Sequence, residues 1–187
     1  MCNVFLETQR LIFEPLSNKH NSEEYVGWLN DKDVTAFNSH GIYPNTEDKT
    51  EDYINNANNN TDSIVLAILD KELNKHIGNI AIQSIDLINS NAEISIMLGA
   101  KESWNKGFGL ECFYKVIEHC FCKLNLHKIY VETSSDNIGM QKLSTKMNMI
   151  KEASLKEVIK RNNNYFDKHN YQIQQAHQYC SPPKHAH

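Results

Sequence analysis

The sequence predicts a mixed α/β (α+β) fold, in which a twisted, mostly antiparallel sheet is flanked by helices and contains one parallel step. Three observations predict it. Between Ser63 and Leu98, three β-like runs follow one another across short polar turns, the pattern of an antiparallel meander. From Ala92, a β-like run, a glycine turn, a helical pattern and another β-like run succeed one another. A strand–helix–strand order implies a right-handed crossover and parallel pairing. Two further β-like runs, Glu152 to Ile159 and Tyr165 to Ile173, face each other across Asn162-Asn163-Asn164 as a closing hairpin.

In chain order, Thr8 to Pro15 reads as one strand ended by its proline. From Asn21 to Asn30, Tyr25, Val26, Trp28 and Leu29 recur at helical spacing behind Glu23 and Glu24. Asp31 to Pro44 is irregular. A second helix starts near Asn45-Thr46, with Glu47, Asp48, Glu51 and Asp52 suited to its N-terminal end, and fades in the asparagine run from Asn55, read as loop. Ser63 to Leu69 is nearly all apolar and fits a central strand. Asp70 to Lys75 is a turn, His76 to Ile85 the returning strand with a bulge at Gly78, and Asn89 to Asn91 the next turn before Ala92 to Leu98. Leu110, Phe113, Val116, Ile117, Cys120, Phe121 and Leu124 form one helical face. Lys128 to Thr133 is a strand, and Asn137 to Met147 a helix with Ile138, Met140, Leu143 and Met147 inward.

The 187 residues suit one domain, expected over residues 1–175, with a disordered tail over 176–187 that holds two prolines and His185 and His187. Hydrophobic content of 40% and charged content of 22% fit a soluble globular chain. A net charge of −4 without a basic stripe argues against nucleic-acid binding. No signal-like N-terminus and no bilayer-length apolar run are visible, so a cytoplasmic protein with no membrane partner is expected. The odd count of five cysteines then suggests reduced thiols. His119, Cys120 and Cys122 lack a second pair at zinc-site spacing, and no metal is expected.

The turn Trp104-Asn105-Lys106-Gly107-Phe108-Gly109-Leu110-Glu111 carries the chemistry. Glycines admit an anion close to the backbone. The first amides of the following helix have no intrahelical partner, and the helix dipole adds positive character there. A pyrophosphate suits such a place; an ordinary strand-to-helix turn is the plain alternative.

With Ala92-Glu93-Ile94-Ser95-Ile96-Met97-Leu98-Gly99 before it, this turn resembles the acetyl-CoA motif of the GNAT superfamily of N-acetyltransferases, in its Rim-type branch. Leu124 to Ile129, Asn137 to Leu143 and Lys146 to Glu152 are similar to three later family motifs, in the same order. Asn105 and Asn148 replace usual glycines, and Met140 a usual Ala or Ser.

The resemblance implies acetyl-CoA as co-substrate. It implies that the backbone of Met97 and Leu98 pairs with the pantetheine arm. The amides from Asn105 through Lys106, Gly107, Phe108 and Gly109 would hold the pyrophosphate beside Trp104. Lys106 would add charge, Asn137 would bond the pantetheine, and Lys146 would join the cofactor set. Ser144 stands where many relatives carry an acid tyrosine. A homodimer is common among such relatives.

Amine acetylation also needs a base. Glu93, partly desolvated on its strand, is the first candidate, and His40, titrating near neutrality, the second. Direct attack without a covalent acyl-enzyme is expected. The aromatic and amide groups of Phe37 to Tyr43 suit a small amine acceptor, such as a nucleotide-linked amino sugar or a polyamine, and suit a protein N-terminus nearly as well. A non-catalytic acyl-CoA-binding module and a dinucleotide oxidoreductase are the remaining classes. The latter lacks its third glycine at Cys112.

Overall fold

The computed structural model describes residues 4–175. The expected disordered tail, with Cys180, His185 and His187, lies outside the described residues, as does Cys2.

Eight strands form one sheet in the order β1-β2-β3-β4-β5-β6-β8-β7. They are β1 (Leu6–Glu7), β2 (Leu11–Pro15), β3 (Ile64–Asp70), β4 (Lys75–Asp86), β5 (Asn91–Leu98), β6 (Lys128–Ser134), β7 (Ile150–Arg161) and β8 (Asn164–Gln174). Four α-helices join them: α1 (Glu23–Asn30), α2 (Glu47–Asn59), α3 (Phe108–Cys122) and α4 (Ile138–Lys146). Every strand pairing is antiparallel except β5 with β6, which is parallel as the crossover requires.

That parallel pairing is short. It spans Asn91↔Lys128, Ala92↔Ile129 and Glu93↔Tyr130, and no later residues pair. Beyond Glu93 the two strands splay, and Ile94 to Leu98 keep only their β4 partners, from Ile82 back to Gly78. The backbone edge of β5 is thus open on one side in the middle of the sheet, where an extended ligand can add to it.

Local chemistry explains the other elements. Ser22 and Thr46 cap α1 and α2, accepting from the amides of Tyr25 and Lys49. Asp70 Oδ1 accepts from Glu72 and Leu73 at the β3–β4 turn. Asn162 and Asn163 both take positive φ (47° and 62°) and close the β7–β8 hairpin. The core joins Leu11, Phe13, Leu66, Ile68 and Ile80 of the sheet to Phe113, Val116, Ile117 and Phe121 of α3.

Several expectations need correction. The strand expected over Thr8 to Pro15 begins only at Leu11, because Thr8 to Arg10 form the turn by which an unexpected short strand, Leu6–Glu7, folds back on it through Leu6↔Phe13. The asparagine run from Asn55 to Asn59 is helical rather than loop. Asn58 Nδ2 donates to the carbonyls of Leu16 and Ile54, a tertiary anchor that outweighs low helix propensity. Ile138 is exposed instead of inward, at the first helical position of α4. Among the described cysteines, Cys112 and Cys120 are free and fully buried. No helix among the described residues is long and apolar enough to cross a membrane.

Candidate active site

The splay between β5 and β6 opens into a cleft of about 670 Å³. One wall is Ile94 to Leu98 of β5, another is Val131 to Thr133 of β6, and α3 and α4 close its ends. At the α3 end, Asn105 and Gly107 take left-handed backbone (φ 59° and 82°), which turns the chain so that α3 begins pointing into the cleft. The first helical bond is Glu111 N–H to Gly107 carbonyl at 3.2 Å. The amides of Phe108, Gly109 and Leu110 are therefore the helix's unpaired donors. Trp104 braces the turn, its Nε1 donating to the Leu98 carbonyl at 2.8 Å.

Arg10, just before β2, fastens this turn to the sheet. Its Nη1 donates to the Lys106 carbonyl at 3.0 Å, and its guanidinium lies 4.5 Å over the Phe108 ring. Nη2 and Nε meet Glu111 Oε2 at 2.6 and 2.7 Å. Thr8 Oγ1 and the Arg10 amide both donate to Glu111 Oε1. Burial works to raise the Glu111 carboxyl pKa, but these bonds and the guanidinium charge outweigh it and hold the group below the ordinary carboxylate range.

A second cavity of about 100 Å³ opens on the α1–α2 face of the sheet. Tyr25, Tyr53, His40, Asn38 and Asn79 line it above Val65, Ala81, Ser95 and Met97. Asn38, Ser95, Ile96 and Met97 line both spaces, so the two meet on β5. Asn45 holds the intervening loop, its Nδ2 donating to the carbonyls of His40 and Leu29 at 2.8 and 3.0 Å. Arg161 ties the same loop to the rest of the cleft. It lies 4.8 Å over Phe37 and 5.3 Å over Phe166 and pairs with Asp136 at 2.6 Å.

A deep slot beside an open strand edge, ending at a glycine helix start, fits an adenosine-diphosphate-linked pantetheine thioester. The model for the acetyltransferase (GNAT) domain matches residues 10–150. The chain belongs to the GNAT acetyltransferase family. It is an acetyl-CoA-dependent N-acetyltransferase.

Among proteins similar to it, the uncharacterized N-acetyltransferase p20 of Bacillus licheniformis is 34% identical over 94 residues, about half of each chain. The uncharacterized N-acetyltransferase YnaD of Bacillus subtilis is 22% identical over 91% of this chain and 96% of its own. In fold, the chain resembles spermidine N-acetyltransferase from Vibrio cholerae, solved with CoA and spermine. That likeness has a TM-score of 0.82 at 22% identity, over 93% of this chain and 100% of that one. It also resembles RimL, the ribosomal L7/L12 acetyltransferase solved with coenzyme A, with a TM-score of 0.82 at 13% identity over 91% and 97% of the chains.

Against this GNAT frame, the cleft gathers Met97, Leu98, Trp104, Asn105, Gly107, Gly109, Asn137 and Lys146. Lys106 and Phe108 do not line it; Lys106 offers its carbonyl to Arg10, and Phe108 is buried under that guanidinium. Asn137 caps α4 through Oδ1, which accepts from the Met140 amide at 3.1 Å. Its amide N–H groups are thereby left as the donors a ligand meets. Lys142, one turn before Lys146 on α4, also lines the cleft and was not anticipated, although i,i+4 spacing from Lys146 signals it.

His40 lines the smaller cavity, 6.1 Å from Tyr53 ring to ring, and burial lowers its pKa. Glu93 lines neither space. It lies at the last β5–β6 pair, and burial raises its pKa against a hydrogen bond from Gln83. Ser144 is fully buried and lines neither space, and its Oγ has no hydrogen-bond partner among the described residues. Cys112 and Cys120 are sealed in the core, and burial pushes the Cys120 thiol up to about 12 and Cys112 higher still. Neither is available as a nucleophile at neutral pH.

Arg10→Ala removes the fastening of the turn. Its expected effect is roughly tenfold weaker acetyl-CoA binding by calorimetry, from the loss of charged hydrogen bonds worth about 1.5–3 kcal/mol each. Unchanged affinity would show that the turn holds itself.

Proposed function

We propose that this acetyltransferase acetylates the primary amine of a small molecule that carries one positive charge together with hydroxyl or amide groups. The sugar part of a nucleotide-linked amino sugar has that chemistry, with its phosphates outside the smaller cavity. The supporting observation is the junction on β5. A thioester lying along Met97 and Leu98 ends where the smaller cavity begins, and that cavity is lined by tyrosine, asparagine and histidine with no carboxylate. A polyamine carries several ammonium groups, and the smaller cavity offers them no carboxylate; Asp33 and Glu132 line only the larger cleft. Neutral donors and acceptors instead suit hydroxyl-bearing rings. A panel of amino sugars, polyamines and N-terminal peptides, followed by thiol release, tests the proposal. Turnover confined to polyamines or peptides refutes it. Acetyl-CoA binding with no turnover on any amine would assign a binding module instead.

In the proposed reaction the amine nitrogen attacks the thioester carbonyl carbon, the oxyanion collapses, and CoA leaves as thiolate to be protonated by solvent. His40 takes the ammonium proton. Its lowered pKa keeps it neutral at physiological pH, the form that accepts a proton. On the acid side the rate should fall only as His40 gains its proton, below pH 6.5, the ordinary histidine value. His40→Asn should lower kcat about 100-fold, the usual contribution of a positioned base, and erase that limb. Glu93→Gln should have the smaller effect. The reverse ranking in kcat would make Glu93 the base.

A further inference from the structure

Two asparagines line the smaller cavity, and the fold uses them differently. Asn38 spends its amide on its own loop. Its Oδ1 accepts from the His40 backbone amide at 2.9 Å, and its Nδ2 donates to the Val34 carbonyl at 3.4 Å. Asn79 stands on the cavity floor. Val65, Ala81 and Ser95 make one cross-strand row of that floor, and Asn79 with Met97 belongs to the next. The Asn79 amide is oriented by His76, three residues earlier on β4. His76 Nε2 lies 3.0 Å from the Gly78 carbonyl oxygen and 2.9 Å from Asn79 Oδ1.

The Gly78 carbonyl decides how this pair is oriented. A backbone carbonyl only accepts, so Nε2 carries a proton, and the atom of Asn79 that faces Nε2 must be its oxygen. His76 Nδ1 has no partner among the described residues, as suits an unprotonated nitrogen. Burial agrees, since it pushes the His76 pKa down to about 4 and keeps the ring neutral. The rings of Trp28, His20 and Tyr25 pack around the imidazole at 5.0, 5.2 and 5.4 Å and hold it in place. With Oδ1 committed to His76, the part of Asn79 left for the cavity is its NH2 group, which donates and does not accept. The tyrosine hydroxyls of the same cavity rotate and serve as donor or acceptor. Asn79 is thus a group whose polarity toward the cavity is fixed.

We propose that Asn79 is a specificity-determining residue that donates to a hydroxyl or carbonyl oxygen of the amine acceptor, and that His76 is the positioning residue that keeps the Asn79 NH2 group turned to the cavity. The inference rests on the acceptor reading above and names the group that does the selecting. An acceptor oxygen meets a donor that is already oriented, so little ordering remains to be done on binding. A second ammonium group at the same place would set donor against donor, with no carboxylate in the cavity to hold it. An amine without the oxygen is disfavoured too, because the NH2 group then loses water and gains no partner. The register brings this contact close to the cofactor strand, since Asn79 pairs with Met97, where cavity and cleft meet.

Thiol release with glucosamine, with cyclohexylamine (a ring amine without oxygen) and with spermidine tests the proposal. The wild-type enzyme should favour glucosamine over cyclohexylamine by more than about tenfold in kcat/KM. Asn79→Leu, close in shape and unable to donate, should lower that preference about tenfold through KM, with kcat and the acetyl-CoA Kd nearly unchanged. Asn79→Asp keeps the oxygen that His76 bonds and replaces the NH2 group by a second oxygen. It should lose the same preference and gain activity on spermidine. His76→Phe should lose part of the preference, and His76→Gln, whose side-chain N–H still serves as the donor, should restore it. A glucosamine preference within about twofold of wild type in both Asn79 variants overturns the proposal, and so does a loss seen only in kcat or in the acetyl-CoA Kd. An unchanged preference in His76→Phe overturns the positioning role. A wild-type enzyme confined to spermidine, or releasing no thiol with any of the three amines, refutes the acceptor reading itself, and this inference with it.

Discussion

Acetyl-CoA binding is expected to weaken about 100-fold or more in Gly107→Val while the protein stays folded. Gly107 has φ of 82°, a conformation that a β-branched residue takes only under strain. The protein around the turn is open, and a Cβ there would meet only Arg10 Nη2, at 3.7 Å. The substitution therefore harms little besides the turn. Forcing a non-glycine residue into this backbone costs about 1–3 kcal/mol, and relief comes by rotating the chain out of the shape that starts α3. The amides of Phe108, Gly109 and Leu110 then no longer converge on the pyrophosphate. A rise of about 100-fold or more in Kd, measured by calorimetry, matches a cost of roughly 2.7 kcal/mol. Circular dichroism should show the helices intact. Unaltered affinity would mean that the pyrophosphate lies elsewhere.

The reason that this turn was legible in the sequence is that its chemistry is local. A β run, two glycines, a lysine and an apolar helical face are neighbours in the chain, and short-range rules read them directly. The strands of the meander and their turns were legible for the same reason. Arg10 belongs to the turn as surely as Gly107 does, yet it lies 96 residues from its Lys106 partner. Nothing in the run from Thr8 to Leu11 marks it. The smaller cavity illustrates the same limit. Tyr25 reads as one more apolar residue of an amphipathic helix, and Asn79 as a polar position in a strand. Both come to line that cavity because α1 packs on β4 through the Tyr25, Trp28 and His76 rings. The helical asparagine run failed differently. Propensity disfavours it, and the contact that overrides propensity, Asn58 to Leu16, spans 42 residues. Ser144 came from motif alignment alone, which supplies a position along α4 without the depth at which the side chain lies.

Gly78→Ala should weaken the same cofactor site by another route and lower stability as well. Gly78 pairs with Leu98 across β4 and β5, next to a register shift that leaves Ile77 as the extra residue opposite Ile68 and Leu69. The bulge lets one carbonyl, that of Ile77, accept from the amides of both Gly99 and Ala100 at 3.0 and 3.1 Å, which turns the chain out of β5. A Cβ on Gly78 would lie 2.3 Å from the Met97 carbonyl oxygen and 2.8 Å from Leu98 Cα. Both are backbone atoms, so no side-chain rotation relieves the contact. The strand itself has to move, at the two residues whose open edge faces the cleft. Overpacking of this kind costs about 1–3 kcal/mol, enough to lower the thermal midpoint by several degrees in a chain of this size. Displacement of Met97 and Leu98 should also weaken acetyl-CoA binding, because pairing along a strand edge tolerates little shift. The two glycine variants thus separate two requirements. Both substitutions lower the thermal midpoint, so affinities are compared at a temperature where each variant is folded; loss in Gly107→Val marks the anion turn, and loss in Gly78→Ala marks the strand that carries the thioester. If Gly78→Ala lowered the midpoint and left affinity intact, the β5 edge would not be where the pantetheine lies.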